Sequence, residues 1–190
     1  AICEFLGANW YALAGTLILA AGVVVHLVYA TVLTLHNRSS RGSQRYAMTA
    51  EPEGVTWASR NMYVLGIIIV LGLLLHLYNF WYNMQFAEII GNHELGPFPP
   101  ADGAAYIAAL FSSPVYCIIY LVWFAAIWFH LTHGFWSAFH TIGWDNQTWL
   151  PRLKRIANVV ATIVFLCFAL VVIVFYLRSL GVCGGSCAGF

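Results

Sequence analysis

Phe129-His130-Leu131-Thr132-His133-Gly134-Phe135-Trp136-Ser137-Ala138-Phe139 closes an apolar run that opens at Pro114. A helix needs about 20 apolar residues to cross about 30 Å of hydrocarbon, and this run is long enough. Its two histidines therefore sit at membrane depth, where an ionisable side chain is costly and needs a partner. Three further runs share its character: Trp10 to Leu35, Asn61 to Tyr82 and Ile156 to Leu177. The predicted fold class is an all-α integral membrane protein, with residues 1–190 forming one transmembrane domain of four helices.

Composition agrees with a lipid solvent. Of 190 residues 62% are hydrophobic and only 8% charged, against about 25% charged in a soluble domain, and the mean hydropathy is +0.80. Eight Lys+Arg against seven Asp+Glu give a formal charge of +1, which offers nothing to a nucleic acid. Charge position says more than charge sum. Seven of the eight basic residues, Arg38, Arg41, Arg45, Arg60, Arg152, Lys154 and Arg155, fall in the first and third connectors. Those connectors are expected to face the cytoplasm, which puts the N-terminus, the second connector and the C-terminus outside.

Helix ends are also legible. Ser113-Pro114 reads as an N-cap followed by proline at the first helical position. Trp10, Trp57, Trp81, Trp144 and Trp149 lie near run ends, as an interfacial aromatic belt does. Pro97, Pro99 and Pro100 make the outer connector irregular or partly re-entrant. Cys183-x3-Cys187 in the glycine-rich tail is either a small disulfide or two unrelated thiols. Neither a haem-attachment Cys-x-x-Cys-His nor an iron–sulfur ligand spacing is present. The chain opens at Ala1 without the basic and apolar regions of a signal peptide, and a preceding segment is expected to be missing.

Seven histidines occur, at positions 26, 36, 76, 93, 130, 133 and 140. His36 and His140 fall at span ends and His93 in the outer connector, so these three read as solvated or interfacial. His26 lies twelve residues before Arg38, about 18 Å at about 1.5 Å per residue. His130 lies a similar distance before the expected helix end near Gly143, so the two share a depth. His76, sixteen residues beyond Arg60, is about 24 Å from the same basic layer and defines an outer level.

Two histidines from different helices at one depth can clamp a haem iron from both sides, and the flat ring then needs small residues where it lies against each helix. Gly22, Gly72 and Ala126 precede His26, His76 and His130 by four, and Gly134 follows His130 by four. A hydrogen bond between helices explains any single intramembrane histidine; three on three spans favour the haem. His133, at i+3, presents nearly the same face as His130 and competes with it as a ligand. A di-iron histidine cluster needs more histidines than the spans hold.

With these residues assembled, the chain resembles the single-subunit, di-haem cytochrome b membrane anchor of succinate:quinone oxidoreductases and fumarate reductases. The likeness rests on Val25-His26-Leu27-Val28-Tyr29, on Leu75-His76-Leu77-Tyr78-Asn79-Phe80-Trp81 and on the stretch from Phe129 to Phe139. The resemblance implies a haem-binding bundle of five spans in which His130, not His133, is the ligand. It pairs His26 with His130 at the haem b nearer the cytoplasm and gives His76 to an outer haem. The second ligand of that outer haem comes, in the family, from a helix before all of these, so a further helix or subunit is expected opposite His76.

The resemblance further implies an iron–sulfur subunit and a flavoprotein subunit as partners, and a respiratory membrane, of cytoplasmic or inner mitochondrial type. Menaquinone or ubiquinone is the implied electron acceptor or donor. The chain's share of the enzyme is then anchoring, electron relay and a quinone site, without dicarboxylate chemistry. Glu4 stands in a Glu-Phe-Leu context similar to the family's Glu-Phe-Met and is a quinone-site candidate, while His133 is expected beside haem or quinone. The alternatives are another di-haem, quinone-reactive cytochrome b, such as the four-span b561 type, and a non-redox membrane scaffold.

Overall fold

A chain that cannot expose backbone to lipid must close its hydrogen bonds within helices, and the computed structural model, which describes residues 9–41, 55–144 and 146–182, has helices and no strand among those residues. In order they are α1 (Trp10–Arg41), α2 (Trp57–Arg60), α3 (Met62–His76), a π-helix (Leu77–Phe86), α4 (Ala87–Ile90), α5 (Gly103–Leu110), α6 (Pro114–Thr141) and α7 (Trp149–Ser179). The segment from Met62 to Ile90 is one continuous rod, so four helices are long and apolar enough to cross a membrane. The protein is an all-α, multi-pass membrane protein. Glu4, Cys3, Arg45, Cys183 and Cys187 lie outside the described residues.

The start and end signals act much as their chemistry dictates. Pro114 opens α6, though the Ser113 side chain makes no capping bond, so the proline's fixed φ alone marks this start. Gly143, at φ +77°, ends the same helix, with the Trp144 amide donating to the Phe139 carbonyl at 2.9 Å. Thr56 and Ser59 form a reciprocal capping box on α2. The fourth helix begins at Trp149 rather than at Ile156, because Pro151 falls in its first turn, where proline is tolerated.

The outer connector is more ordered than its prolines suggest. Asp102 caps α5 by accepting from the Ala105 amide at 3.1 Å. Tyr106, buried, donates from its hydroxyl to the Phe98 carbonyl at 2.7 Å and ties the irregular stretch back onto the bundle. Gly96 is required there, since a Cβ at that position would overlap the Tyr106 hydroxyl.

The π-helix is the fold's least ordinary element. Such turns usually occur as single bulges, yet this one runs for ten residues and starts at the residue after His76. The Asn83 amide nitrogen donates to the carbonyls of Tyr78 and Asn79, at 2.9 and 3.1 Å, within the π-helix itself. Tyr78, Tyr82 and Phe86 stack at four-residue spacing, with ring planes only 13° and 16° apart.

In lipid, helices associate by close packing and by interhelical hydrogen bonds averaging about 0.6 kcal/mol each. Helices α6 and α7 pack through small residues of α7, where Ala157, Ala161 and Ala169 are buried. A core of Phe111, Cys117, Tyr120, Trp123 and Val172 joins them to the π-helix side of the second rod. Three bonds cross between spans there: Trp123 Nε1 to the Ile69 carbonyl at 3.0 Å, Trp128 Nε1 to Thr162 Oγ1 at 2.9 Å and Asn79 Nδ2 to Tyr120 Oη at 3.2 Å. Helix α1 differs: its apolar stretch has no buried residue, and Thr16 Oγ1 donates to Gln85 Oε1 at 3.2 Å to tie it to the π-helix.

Candidate functional site

Four buried side-chain nitrogens among the described residues have no hydrogen-bond partner: Nδ1 of His76, His130 and His133, and Nε1 of Trp81. An unpaired polar group in an apolar interior costs about 1–3 kcal/mol or more, and buried polar groups normally find partners. The interhelical bonds described above are made by tryptophan, asparagine, tyrosine, threonine and glutamine side chains. The three histidines stand apart from that network.

His26 on α1 and His130 on α6 approach each other with ring centroids 6.1 Å apart and planes at 82°, an edge-type contact. Two imidazoles gripping one metal ion from opposite sides, with metal–nitrogen bonds of about 2 Å each plus the ring radii, stand roughly 6 Å apart. The pair therefore has the separation that a shared metal needs, with one ring from each of two helices. Gly66 on α3 leaves room beside it, since its Cβ position lies 4.0 Å from His130 Cε1. Gly66 approaches His130 from a neighbouring helix, so spacing along the histidine's own helix does not point to it.

The four small residues expected beside the ligands have different surroundings. A Cβ at Gly22 would meet nothing within 4 Å, and one at Gly134 would make ordinary contacts with Met62 Cε at 3.5 Å and His130 Cδ2 at 3.9 Å. The notch at Gly72 is filled by protein, for a Cβ there would overlap the Trp123 indole. Ala126 is buried against Ala58 and Leu65. The open small residues thus belong to the His26–His130 level, and the filled ones serve helix packing.

His76 stands alone on the other level. Its ring packs among Phe80, Trp123 and Tyr120 at centroid distances of 5.0, 5.5 and 6.3 Å. It also forms part of the wall of an apolar cavity of about 530 Å³ between the second rod, α5, α6 and α7, within the 300–1,000 Å³ typical of ligand sites. Helix α1 contributes nothing to that wall, and His76 is its only histidine. The wall's indoles are already spent, Trp123 on Ile69 and Trp128 on Thr162, and the Tyr120 hydroxyl accepts from Asn79, while His76 Nδ1 has no partner.

His133, one turn beyond His130, packs on Trp136 at 5.0 Å, and the Lys154 ammonium lies 4.2 Å from the centroid of the same indole. His93, largely exposed, lies 3.8 Å from Glu88. Cys117 is a buried free thiol and Cys167 an exposed one on a span. No family model matches the chain, and neither a curated protein nor a solved structure matches it.

The donor set fits haem b at the inner level: imidazoles on two helices, a centroid separation suited to one metal, a buried His130 Nδ1 that protein leaves unpaired, and small residues left uncovered nearby. At the outer level one imidazole and an adjoining cavity are present, and the second ligand is not among the residues that line it.

Proposed function

We propose that this chain is the membrane cytochrome b subunit of a succinate:quinone oxidoreductase or fumarate reductase, carrying electrons between an iron–sulfur subunit and membrane quinone. The observation that carries the reading is the His26–His130 pair, two intramembrane imidazoles on separate helices at 6.1 Å, with Nδ1 of His130 buried and unpaired. His26 and His130 would hold the inner haem, with Gly22, Gly66 and Gly134 leaving space beside it. His76 would hold an outer haem in the cavity at its side, with a ligand from a further helix completing that site.

A bound haem b supplies a reversible one-electron carrier. The chain's own part is to fix ligand orientation, to exclude water with the aromatic residues around His76, and to set the potential through burial and nearby charge. The helix end carrying Arg60, Arg152, Lys154 and Arg155 faces the cytoplasm in this reading and receives an acidic surface of the iron–sulfur and flavoprotein subunits. Quinone reacts at the membrane boundary, with Glu4 as the candidate proton-exchanging group.

A scaffold whose histidines merely bridge helices is disfavoured by the three buried imidazole nitrogens without partners. A four-span, self-contained di-haem quinone cytochrome is favoured by the span count alone. Purification from native membrane decides among the three. The expected result is a b-type α band in the reduced-minus-oxidised spectrum, together with a flavoprotein and an iron–sulfur subunit. A band without those companions selects the self-contained cytochrome, and no band leaves only the scaffold.

A further inference from the structure

Lys154 is the cation whose placement the fold leaves unexplained. It sits in the first turns of α7, yet its ammonium lies over the Trp136 ring of α6, 4.2 Å from the centroid. No acidic side chain among the described residues pairs with it. An indole face attracts a cation by about 0.5–1 kcal/mol at an exposed site, enough to bias the long side chain toward α6 but not to neutralise it. Arg152 makes the corresponding contact with Trp149 of its own helix, at 5.3 Å.

Trp136 lies six residues from His130, about 9 Å along the helix toward its basic end, and His133 lies between the two on the helical wheel. His133 packs on Trp136 and leaves its buried Nδ1 unpaired. An imidazole with an unpaired nitrogen and an ammonium with no counter-ion among the described residues therefore converge on one indole, one to two turns from a candidate metal ligand. Imidazole and ammonium donors so arranged recognise an anion with oxygen acceptors, a carboxylate or phosphate. A carboxylate on a porphyrin edge has to find such a partner, since an uncompensated charge at that depth is expensive.

We propose that Lys154, held on Trp136 and flanked by His133, is the positioning residue that anchors a carboxylate of the cofactor gripped by His26 and His130. The proposal rests on the haem reading. A positive charge beside the ring disfavours the oxidised, more positive state, so Lys154 raises the potential of the inner haem and removing it lowers that potential.

The test uses the purified wild-type protein and K154M, K154R and R152M, in nanodiscs of phosphatidylcholine and in nanodiscs containing phosphatidylglycerol. K154M is expected to retain the α band and to lower the reduced-to-oxidised ratio of the inner haem about tenfold at a fixed ambient potential, equivalent to about 59 mV for a one-electron couple. K154R restores the ratio, R152M leaves it unmoved, and the difference persists in phosphatidylcholine alone. An unshifted K154M, or an R152M shift of equal size, overturns the anchor while the band preserves the haem reading. A K154M effect seen only with phosphatidylglycerol assigns the site to a lipid phosphate and overturns the proposal. Absence of the band in wild-type protein overturns the haem reading itself.

Discussion

The two histidine levels of this bundle use the same side chain in opposite settings. At the inner level, His26 is exposed on a helix that barely touches its neighbours, and its ring approaches that of His130 at 6.1 Å. At the outer level, His76 is packed among Phe80, Tyr120 and Trp123 on the best-packed side of the bundle, next to a cavity with no second imidazole. The inner level has two imidazoles and little packing; the outer level has one imidazole and dense packing. A cofactor at the inner level would therefore do structural work, joining α1 to the rest, whereas at the outer level protein contacts already do that work.

Four predictions sharpen or break this contrast. The largest effect belongs to the inner ligands: His26→Ala or His130→Ala removes one haem per chain and loosens α1, read as loss of the α-band amplitude of that haem and as new proteolysis within α1. Loss of haem with α1 still protected breaks the structural half of the contrast. His76→Ala comes next, removing the outer haem while the His26–His130 signal stays at full strength. If both signals fall together, the levels are not independent.

Gly72→Ala drives a methyl group into the Trp123 ring, whose indole is fixed by its bond to the Ile69 carbonyl. Overpacking of this kind costs about 1–3 kcal/mol. The thermal midpoint in detergent is expected to fall, with the inner haem band unchanged, and an unaltered midpoint means that Trp123 moves freely. The smallest effect is that of His133→Ala, which retains every haem. Loss of a haem in this variant shifts the inner ligand by one turn of α6.

The span count and most helix ends are legible in the sequence because hydropathy, Pro114 and Gly143 act locally. Shared depth of His26 and His130 follows from helical rise, measured from Arg38 and Gly143, and the approach of their rings is a consequence the rise permits without requiring. The π-helix was missed because its signal is a side chain: Asn83 bonding back to Tyr78 and Asn79 leaves no mark in the hydropathy of Leu77–Phe86. Helix α5 was missed because Pro97, Pro99 and Pro100 dominate the reading of the connector, while the Asp102 cap that starts it lies just beyond them. Four-residue spacing identifies Gly72 and Ala126 as small positions on the ligands' faces, but it cannot say that Trp123 covers one and that Ala58 and Leu65 cover the other. What lies opposite a residue is a property of the neighbouring helix, and for the same reason Gly66 emerged only in three dimensions.

The central claim is that His26 and His130 hold a single haem between two helices. Haem stoichiometry of His26→Ala, of His130→Ala and of the double variant tests it most directly. The account predicts that each single variant loses the same one haem, with the same spectral component missing, and that the double variant loses no more than either. Loss of different components by the two single variants, or a further loss in the double variant, would contradict it.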